Sequence, residues 1–170
     1  LSLVKMNRTG QTMNIQQVNI NDLLEQILKR LKPIAEKKNV EMVMESFRPV
    51  SAEIDETKFT LAVSNLVENA IKYNRENGSV TVSAIRKKNE VVLTVSDTGN
   101  GIDEAFREQI FEPFFRVDKS RSRELGGVGL GLAMVREVVR VHDGTIEVYT
   151  NKHSGTTFEV KMGIGCLLYT

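Results

Sequence analysis

Four polar side chains with the spacing of one helix face are the first feature of the sequence that could do chemistry. Asn65, Glu68, Asn69 and Lys72 are three, one and three residues apart, and at about 100° per residue they share one side of a helix. A carboxamide oxygen suits Mg²⁺, lysine suits phosphate, and a carboxylate can take a proton. The alternative is a solvated helix face, where such residues are common.

A second candidate is the hexapeptide Asp-Thr-Gly-Asn-Gly-Ile at residues 97–102, which follows an alternating apolar segment. Gly99 and Gly101 let the backbone approach a ligand closely, and an aspartate at a strand end, such as Asp97, can accept a hydrogen bond from an amino group. The alternative is a glycine-rich turn that binds nothing.

A glycine run at residues 126–131 precedes a third apolar periodic segment. Free amide groups at a helix N-terminus attract phosphate, and glycines leave room for it. The run is not a Walker phosphate loop, because no Lys-Ser or Lys-Thr follows its last glycine. By itself, such a run does not specify a phosphate site.

An aromatic and basic loop lies between these glycine-bearing segments. It contains Phe-Glu-Pro-Phe-Phe-Arg at residues 111–116 and then Lys119, Arg121 and Arg123. The aromatic residues could fix the loop on the core while the cations face a triphosphate. A basic surface loop with an aromatic anchor is the alternative. Independent accidents would rarely place all four features in this order along one chain.

Hydrophobic periodicity predicts the elements that position these residues. Spacings of three and four predict helices capped at Asn21 or Asp22, beginning near Asp55, and following the glycine run. Pro33 predicts a kink or an early end of the first helix. Alternation predicts strands at residues 40–45, 80–84, 91–95, 144–150 and 156–162. The order predicts an α+β fold, a two-layer sandwich.

Composition sets limits on the class of protein. The chain has 170 residues, 41% of them hydrophobic, which suits one globular domain. With 23 basic and 22 acidic residues, its net charge of +1 predicts neither nucleic-acid binding nor membrane contact. Cys166 is the only cysteine, so no intrachain disulfide can form. Because the sequence contains neither a membrane-spanning run of about 20 apolar residues nor a signal pattern, we expect a cytoplasmic location.

Four of these motifs resemble the ATP-binding catalytic domains of two-component sensor histidine kinases, within the GHKL superfamily that includes chaperone, topoisomerase and mismatch-repair ATPases. Residues 65–73 resemble the N-box, residues 97–102 the first glycine box, residues 111–116 the F-box and residues 127–132 the second glycine box. A last box is weaker, at residues 155–158. The resemblance implies a Bergerat-type fold, in which a mixed sheet packs against three helices. ATP would lie beneath a lid from about residue 102 to residue 128.

The resemblance also implies a role for each matching residue. Asp97 would hold the adenine amino group, and Tyr73 would pack near the base. Asn69 would coordinate Mg²⁺, with Asn65 and Lys72 close to the phosphates. The remaining ATP-binding residues implied by the boxes are Gly99, Gly101, Ile102, Arg116, Gly127, Gly129, Leu130, Gly131, Leu132 and Thr156.

The activity implied is transfer of the γ-phosphoryl group of ATP to a histidine, with Glu68 as the general base. The histidine would belong to a separate phosphoacceptor and dimerisation domain of the same kinase, and a response regulator would act downstream. Neither His142 nor His153 lies in the acceptor motif of the family. Whether the full-length bacterial protein has a membrane anchor is left open.

Several features depart from the family pattern or lie outside it. Val128 replaces the common Thr or Ser, which removes one hydroxyl contact to phosphate, and His153 replaces the first glycine of the last box. Residues 1–13 are predicted to be a remnant of the phosphoacceptor-domain helix and its linker. Residues 14–162 are predicted to be the catalytic domain, and residues 163–170 a tail without an assigned role.

Three other functions are compatible with the same motifs. The chain could be a nucleotide-responsive binding module without catalysis, although retention of Glu68 argues against this. It could be a serine-directed kinase of the same superfamily, although residues 111–116 and the N-terminal remnant favour histidine. An ATPase that dimerises through an N-terminal arm fits less well, because the predicted lid is short.

Overall fold

The computed structural model describes residues 3–6, 12–46, 48–113, 115 and 131–164, with side chains from residue 12 onward. The helices of this part are α1 (Ile20–Lys37), α2 (Glu56–Lys72) and α3 (Gly131–Val141). The strands are β1 (Leu3–Met6), β2 (Thr12–Asn19), β3 (Glu41–Met44), β4 (Ser51–Asp55), β5 (Ser79–Lys87), β6 (Glu90–Asp97), β7 (Thr145–Thr150) and β8 (Thr156–Gly163). Two single 3₁₀ turns, Glu104–Phe106 and Gln109–Phe111, follow β6.

A five-stranded mixed sheet forms one layer of the fold, in the order β3-β5-β6-β8-β7. Strand β3 runs parallel to β5, and the other neighbours are antiparallel. The three helices form the second layer, and fully buried Leu24, Leu66, Val82 and Leu93 join the two layers in one core. The predicted α+β two-layer class, with a mixed sheet against three helices, is confirmed.

Helix α2 has the two faces that its sequence predicts. Asp55 caps its first turn by accepting a hydrogen bond from the Lys58 backbone N–H at 3.1 Å. The apolar stripe is buried in the core: Phe59, Ala62, Val63, Leu66, Val67 and Ala70. The polar stripe is only half-buried, and it is therefore available to a ligand on the side away from the core.

Helix α1 differs from the prediction at both ends. Its cap is Asn19, which accepts a hydrogen bond from the Asp22 backbone N–H at 3.1 Å. Asn21 is instead buried and accepts a hydrogen bond from the Val50 backbone N–H at 2.6 Å, so its side chain serves a distant loop. Of the kink or early end predicted at Pro33, the early end does not occur, because the helix continues to Lys37. None of the described helices is long and apolar enough to cross a membrane.

A second, three-stranded antiparallel sheet in the order β1-β2-β4 was not predicted. Residues Leu3–Met6 form a strand paired with residues 12–15, where the resemblance implied the end of a helix. A hydrogen bond of 3.1 Å from the Glu53 backbone N–H to the Ile164 carbonyl connects this sheet with the end of β8. The assignment of residues 1–13 to a linker and of residues 163–170 to a tail stays a prediction.

His142 joins the end of α3 to the start of α2. Its ring is buried, with Nδ1 donating to the Val138 carbonyl at 2.8 Å and Nε2 accepting from the Asp55 backbone N–H at 3.0 Å. Burial lowers the pKa of His142, and the Lys58 charge lowers it further. The hydrogen bond to the Val138 carbonyl and the charges of Asp55 and Asp143 act in the opposite direction, but burial is the largest effect. The folded state therefore contains neutral imidazole.

We expect His142 to make the stability of the domain depend on pH. In the unfolded chain the ring gains a proton near its ordinary value of 6.5, whereas the folded ring does so only at lower pH. The free energy of unfolding should therefore fall as the pH decreases from about 7 through this window. Urea unfolding at pH 7.5 and pH 5.5 measures the difference, and His142→Gln should reduce it. His153→Gln, at an exposed ring, is the control; an unchanged difference in His142→Gln would exclude His142 as the source.

Candidate functional site

Asp97 ends β6 in a nearly closed environment. Its side chain is 9% exposed, and Oδ1 accepts hydrogen bonds from the backbone N–H groups of Gly99 at 2.8 Å and Thr156 at 3.0 Å. Burial raises the pKa of the carboxyl group, while these two donors act in the opposite direction. Because both donors bind Oδ1, the second oxygen, Oδ2, is the atom that an amino group of a ligand would reach.

Glycines allow three segments to meet around Asp97. A Cβ atom at Gly155 would lie 2.0 Å from the Asp97 carbonyl oxygen, and one at Gly99 would lie 2.5 Å from the Tyr73 carbonyl oxygen. Gly101 has φ +73°, and a Cβ atom there would lie 2.9 Å from the Ser154 carbonyl oxygen. The end of α2, the turn after β6 and the turn before β8 therefore form one compact surface, which a larger residue at these positions would separate.

The polar face of α2 meets the first residue of α3. Asn69 donates a hydrogen bond through Nδ2 to Asn65 Oδ1 at 3.3 Å. A Cβ atom at Gly131 would lie 2.3 Å from Asn65 Nδ2, so a larger residue there would displace the Asn65 side chain from its present position. Glu68 and Lys72 are half-buried on the same face. The helix N-terminus and the carboxamide pair are thus neighbours.

Helix α2 connects the surroundings of Asp97 with the start of α3 at Gly131. Asn65, Asn69 and Tyr73 follow one another at intervals of one turn, so they span about 12 Å of helix. Tyr73 is partly exposed beside Gly99, at the Asp97 end, while Asn65 lies at the Gly131 end. The site is therefore a continuous strip along α2. It leads from the buried carboxylate of Asp97 past Tyr73, Asn69 and Asn65 to the start of α3 at Gly131.

Aromatic residues fix the segment after β6 to the core. Phe111 is buried and packs edge-on against Phe158, with ring centroids 6.2 Å apart, and the Arg136 guanidinium lies 5.6 Å from its centroid. Phe106 and Phe115 pack together at 5.8 Å. Ile102 and Leu132, which the resemblance assigns to the ATP site, are half-buried against the core. The predicted ATP-binding residues Arg116, Gly127, Gly129 and Leu130 lie outside the described part of the chain, as do Lys119, Arg121, Arg123 and Val128.

Two asparagines that the sequence did not identify as site residues hold the strip together. Asn74 is 2% exposed; it donates to the Ser79 carbonyl at 2.9 Å and accepts from the Thr98 hydroxyl at 3.0 Å. Thr98 Oγ1 in turn accepts from the Ser79 backbone N–H at 2.9 Å. This network ties the end of α2 to the residue that follows Asp97. Asn151, in the turn between β7 and β8, donates a hydrogen bond to the Asp97 carbonyl at 2.9 Å and so ties that turn to the end of β6.

The residues present suit a magnesium-bound nucleotide. Within the described residues there is no cluster of three or more His, Cys, Asp or Glu side chains that could hold a metal ion alone. Mg²⁺ commonly takes one or two protein oxygens and completes its shell with water and substrate phosphates. Asn69, whose nitrogen is engaged by Asn65, presents an amide oxygen of this kind.

Comparison with known proteins assigns the family. Residues 54–164 match the model of the histidine kinase-, DNA gyrase B- and HSP90-like ATPases. This chain belongs to that family. The match extends from β4 to the end of β8 and includes every predicted site residue.

Individual relatives narrow the resemblance to sensor kinases. The sensor-like histidine kinase SenX3 of Mycobacterium tuberculosis is 33% identical over 162 residues, which are 95% of this chain and 40% of SenX3. The catalytic domain of histidine kinase ThkA is 27% identical with a TM-score of 0.81, over 90% of this chain and 97% of that domain. Histidine kinase ThkA in complex with response regulator protein TrrA matches 90% of this chain and 42% of that chain, at 25% identity and a TM-score of 0.77. The chain thus spans about 40% of the length of the curated relative.

Proposed function

We propose that this chain binds Mg·ATP and transfers the γ-phosphoryl group to a histidine on a separate phosphoacceptor domain of the same kinase. The observation that carries the proposal is the strip along α2. A buried carboxylate lies at one end of the strip and a helix N-terminus at the other. Amide, carboxylate and lysine side chains lie between these two ends. Family membership and the sensor-kinase relatives support the same activity.

At the base end, Asp97 Oδ2 accepts a hydrogen bond from the adenine amino group while Tyr73 covers the base. Both backbone donors bind Oδ1 and fix the direction of Oδ2, which accepts no hydrogen bond from the residues that the structure describes. A buried carboxylate discriminates strongly between bases, because a ligand without the amino group leaves it unpaired. Gly99, Gly101, Ile102 and Thr156 form the surrounding surface.

At the phosphate end, Asn65, Lys72 and the start of α3 at Gly131 and Leu132 bind the triphosphate. The positive end of the α3 dipole and the Lys72 ammonium supply positive charge there. Asn69 Oδ1 is the protein ligand of Mg²⁺, which neutralises phosphate charge when bound. We propose that Arg116, Gly127, Gly129 and Leu130 complete the site from the lid.

Glu68 receives the proton of the acceptor imidazole. It lies on the half-buried face of α2 beside Asn69, so an incoming histidine reaches it next to the γ-phosphate. In the two-component scheme the phosphoryl group then passes to a response regulator. The solved complex of ThkA with the response regulator TrrA supports that partner for this chain.

Calorimetric titration with ATP tests the binding half of the proposal, and the acceptor domain supplied with γ-labelled ATP tests the transfer half. We expect measurable ATP affinity that increases with Mg²⁺, and labelled histidine only when the acceptor domain is present. Bound nucleotide without label on histidine would favour the second candidate, a nucleotide-responsive binding module without catalysis. The presence of Glu68 argues against that candidate, because nucleotide binding alone needs no general base at this position.

The Asn69→Ala variant should lose most of the effect of Mg²⁺ on ATP binding. Removing one interaction with a charged partner lowers affinity by roughly 10- to 100-fold, and here the loss should occur only when Mg²⁺ is present. Titrations with Mg²⁺ and with a chelator measure it, with Asn89→Ala in the exposed β5–β6 turn as the control. A variant that still responds fully to Mg²⁺ would remove Asn69 from the metal site.

A further inference from the structure

The turn between β7 and β8 is organised by the side chain of one residue, Asn151. Its Oδ1 accepts hydrogen bonds from the backbone N–H groups of His153 at 3.0 Å and Gly155 at 3.1 Å. Its Nδ2 donates to the Asp97 carbonyl at 2.9 Å and approaches Thr157 Oγ1 at 3.2 Å. One amide group therefore connects both ends of the turn with the last residue of β6.

The same turn also holds the Asp97 carboxylate. Thr156 follows Gly155 directly, and its N–H donates to Asp97 Oδ1. Asp97 is thus held twice from this side: its backbone by the Asn151 amide and its carboxylate by the Thr156 N–H, whose position depends on the turn that Asn151 closes. Because a Cβ atom at Gly155 would lie 2.0 Å from the Asp97 carbonyl oxygen, the two segments are in direct contact.

Turn formation alone would not require the Asn151 Nδ2 group. The backbone of the turn already has hydrogen bonds from the Asn151 N–H to the Gly155 carbonyl and from the Ser154 N–H to the Asn151 carbonyl, both 3.0 Å. Nδ2 instead donates outside the turn, to the Asp97 carbonyl and to Thr157 Oγ1. A group that satisfies the carbonyl of a buried carboxylate residue restricts the direction in which its free oxygen points.

We propose that Asn151 is a positioning residue for base recognition: it aims Asp97 Oδ2 at the amino group of the nucleotide without touching the nucleotide itself. The inference rests on the proposed function, since it assumes that Asp97 binds the base. It predicts that loss of Asn151 reduces discrimination between bases, and not merely the stability of the domain.

The test compares ATP with inosine triphosphate, which has an oxygen in place of the 6-amino group. In Asn151→Ala we expect ATP affinity to fall about tenfold, the equivalent of roughly one to two hydrogen bonds, while inosine triphosphate affinity stays within about threefold. Lys152→Ala, exposed in the same turn, should change neither. In the Asp97→Asn background the effect of Asn151→Ala on ATP should vanish, because residues that act through one another are not additive.

Each outcome separates the inference from the function on which it rests. If wild-type domain binds no ATP, the proposed function fails and the inference fails with it. If wild type prefers ATP and Asn151→Ala lowers both affinities equally, or adds its full effect to Asp97→Asn, the positioning role is wrong and the proposed function stands. If Asn151→Ala does not fold, Asn151→Asp keeps an oxygen for the turn and replaces the Nδ2 donor to Asp97 and Thr157 with an oxygen. The same loss of base preference is then expected, and an unchanged preference would overturn the inference.

Discussion

The Asp97→Asn variant is expected to bind ATP about 100-fold more weakly than the wild-type domain, a difference of about 2.7 kcal/mol. Asparagine keeps an oxygen for the Gly99 and Thr156 N–H groups, so the position of Oδ1 is preserved. At the Oδ2 position it places an amide NH₂, which in the proposed complex lies opposite the adenine amino group. A charge-assisted hydrogen bond is lost and two donors face each other.

The stability of the same variant should remain at the wild-type level or rise. Burial raises the pKa of Asp97, which means that the folded state holds the carboxylate where it is poorly solvated. A neutral amide removes that unfavourable charge at pH 7. Loss of affinity without loss of stability therefore distinguishes a binding role from a structural one.

Base preference provides the decisive measurement. The new NH₂ group can donate to the 6-oxygen of inosine triphosphate, so Asp97→Asn should lose ATP affinity and gain relative affinity for the inosine nucleotide. Titration calorimetry with both nucleotides, and urea unfolding of the same samples, measure the two effects. Asp22→Asn, an exposed carboxylate in the first turn of α1, is the control. Unchanged ATP affinity would remove Asp97 from the adenine role.

The parts of the site that depend on local periodicity could be predicted from the sequence. The polar face of α2 follows from spacings of three and four, and the position of Asp97 follows from the alternation that ends β6. Gly131 at the start of α3 was predicted as a helix-opening glycine, and it lies directly beside the Asn65 side chain. For these residues the element alone determines which way the side chain faces.

The residues that join one element to another could not be predicted in this way. Asn74, Asn151 and His142 have partners 24, 54 and 87 residues away in the chain. From sequence each has an adequate local explanation: Asn74 as a helix terminator, Asn151 as a turn residue and His142 as a helix end. Their hydrogen bonds exist only because the folded sheet brings distant segments together.

The second sheet was missed for a related reason. In β4 the buried residues Ala52 and Ile54 alternate with exposed or half-buried ones, but the strand has only five residues and follows Pro49. In β2 the alternation of Met13 and Ile15 is interrupted before Val18. The sequence pattern of each strand is weak alone. The strands become defined only through their antiparallel pairing with each other, which a local pattern does not show.

Glu68→Gln is expected to abolish most phosphoryl transfer to histidine while leaving ATP affinity within about threefold of wild type. A carboxamide keeps the size of the side chain but cannot accept the imidazole proton, and general base catalysis typically contributes about 10²- to 10⁴-fold in rate. ATP affinity should change little, because the proposed nucleotide contacts are made by Asp97, Asn65 and Lys72 and not by Glu68. Transfer of γ-label to the acceptor domain at saturating ATP measures the rate.

Matched carboxylates on the same helix make the interpretation specific. Glu56→Gln, exposed in the first turn of α2, removes the same charge at the other end of the helix and should leave the transfer rate unchanged. Glu68→Asp should recover part of the rate, because it restores a carboxylate on a side chain that is one methylene group shorter. A Glu68→Gln enzyme that transfers at the wild-type rate would show that the base lies elsewhere. A variant that loses ATP affinity to the same degree as rate would instead make Glu68 a binding residue, because a group that acts only in the transition state lowers the rate without weakening ground-state binding.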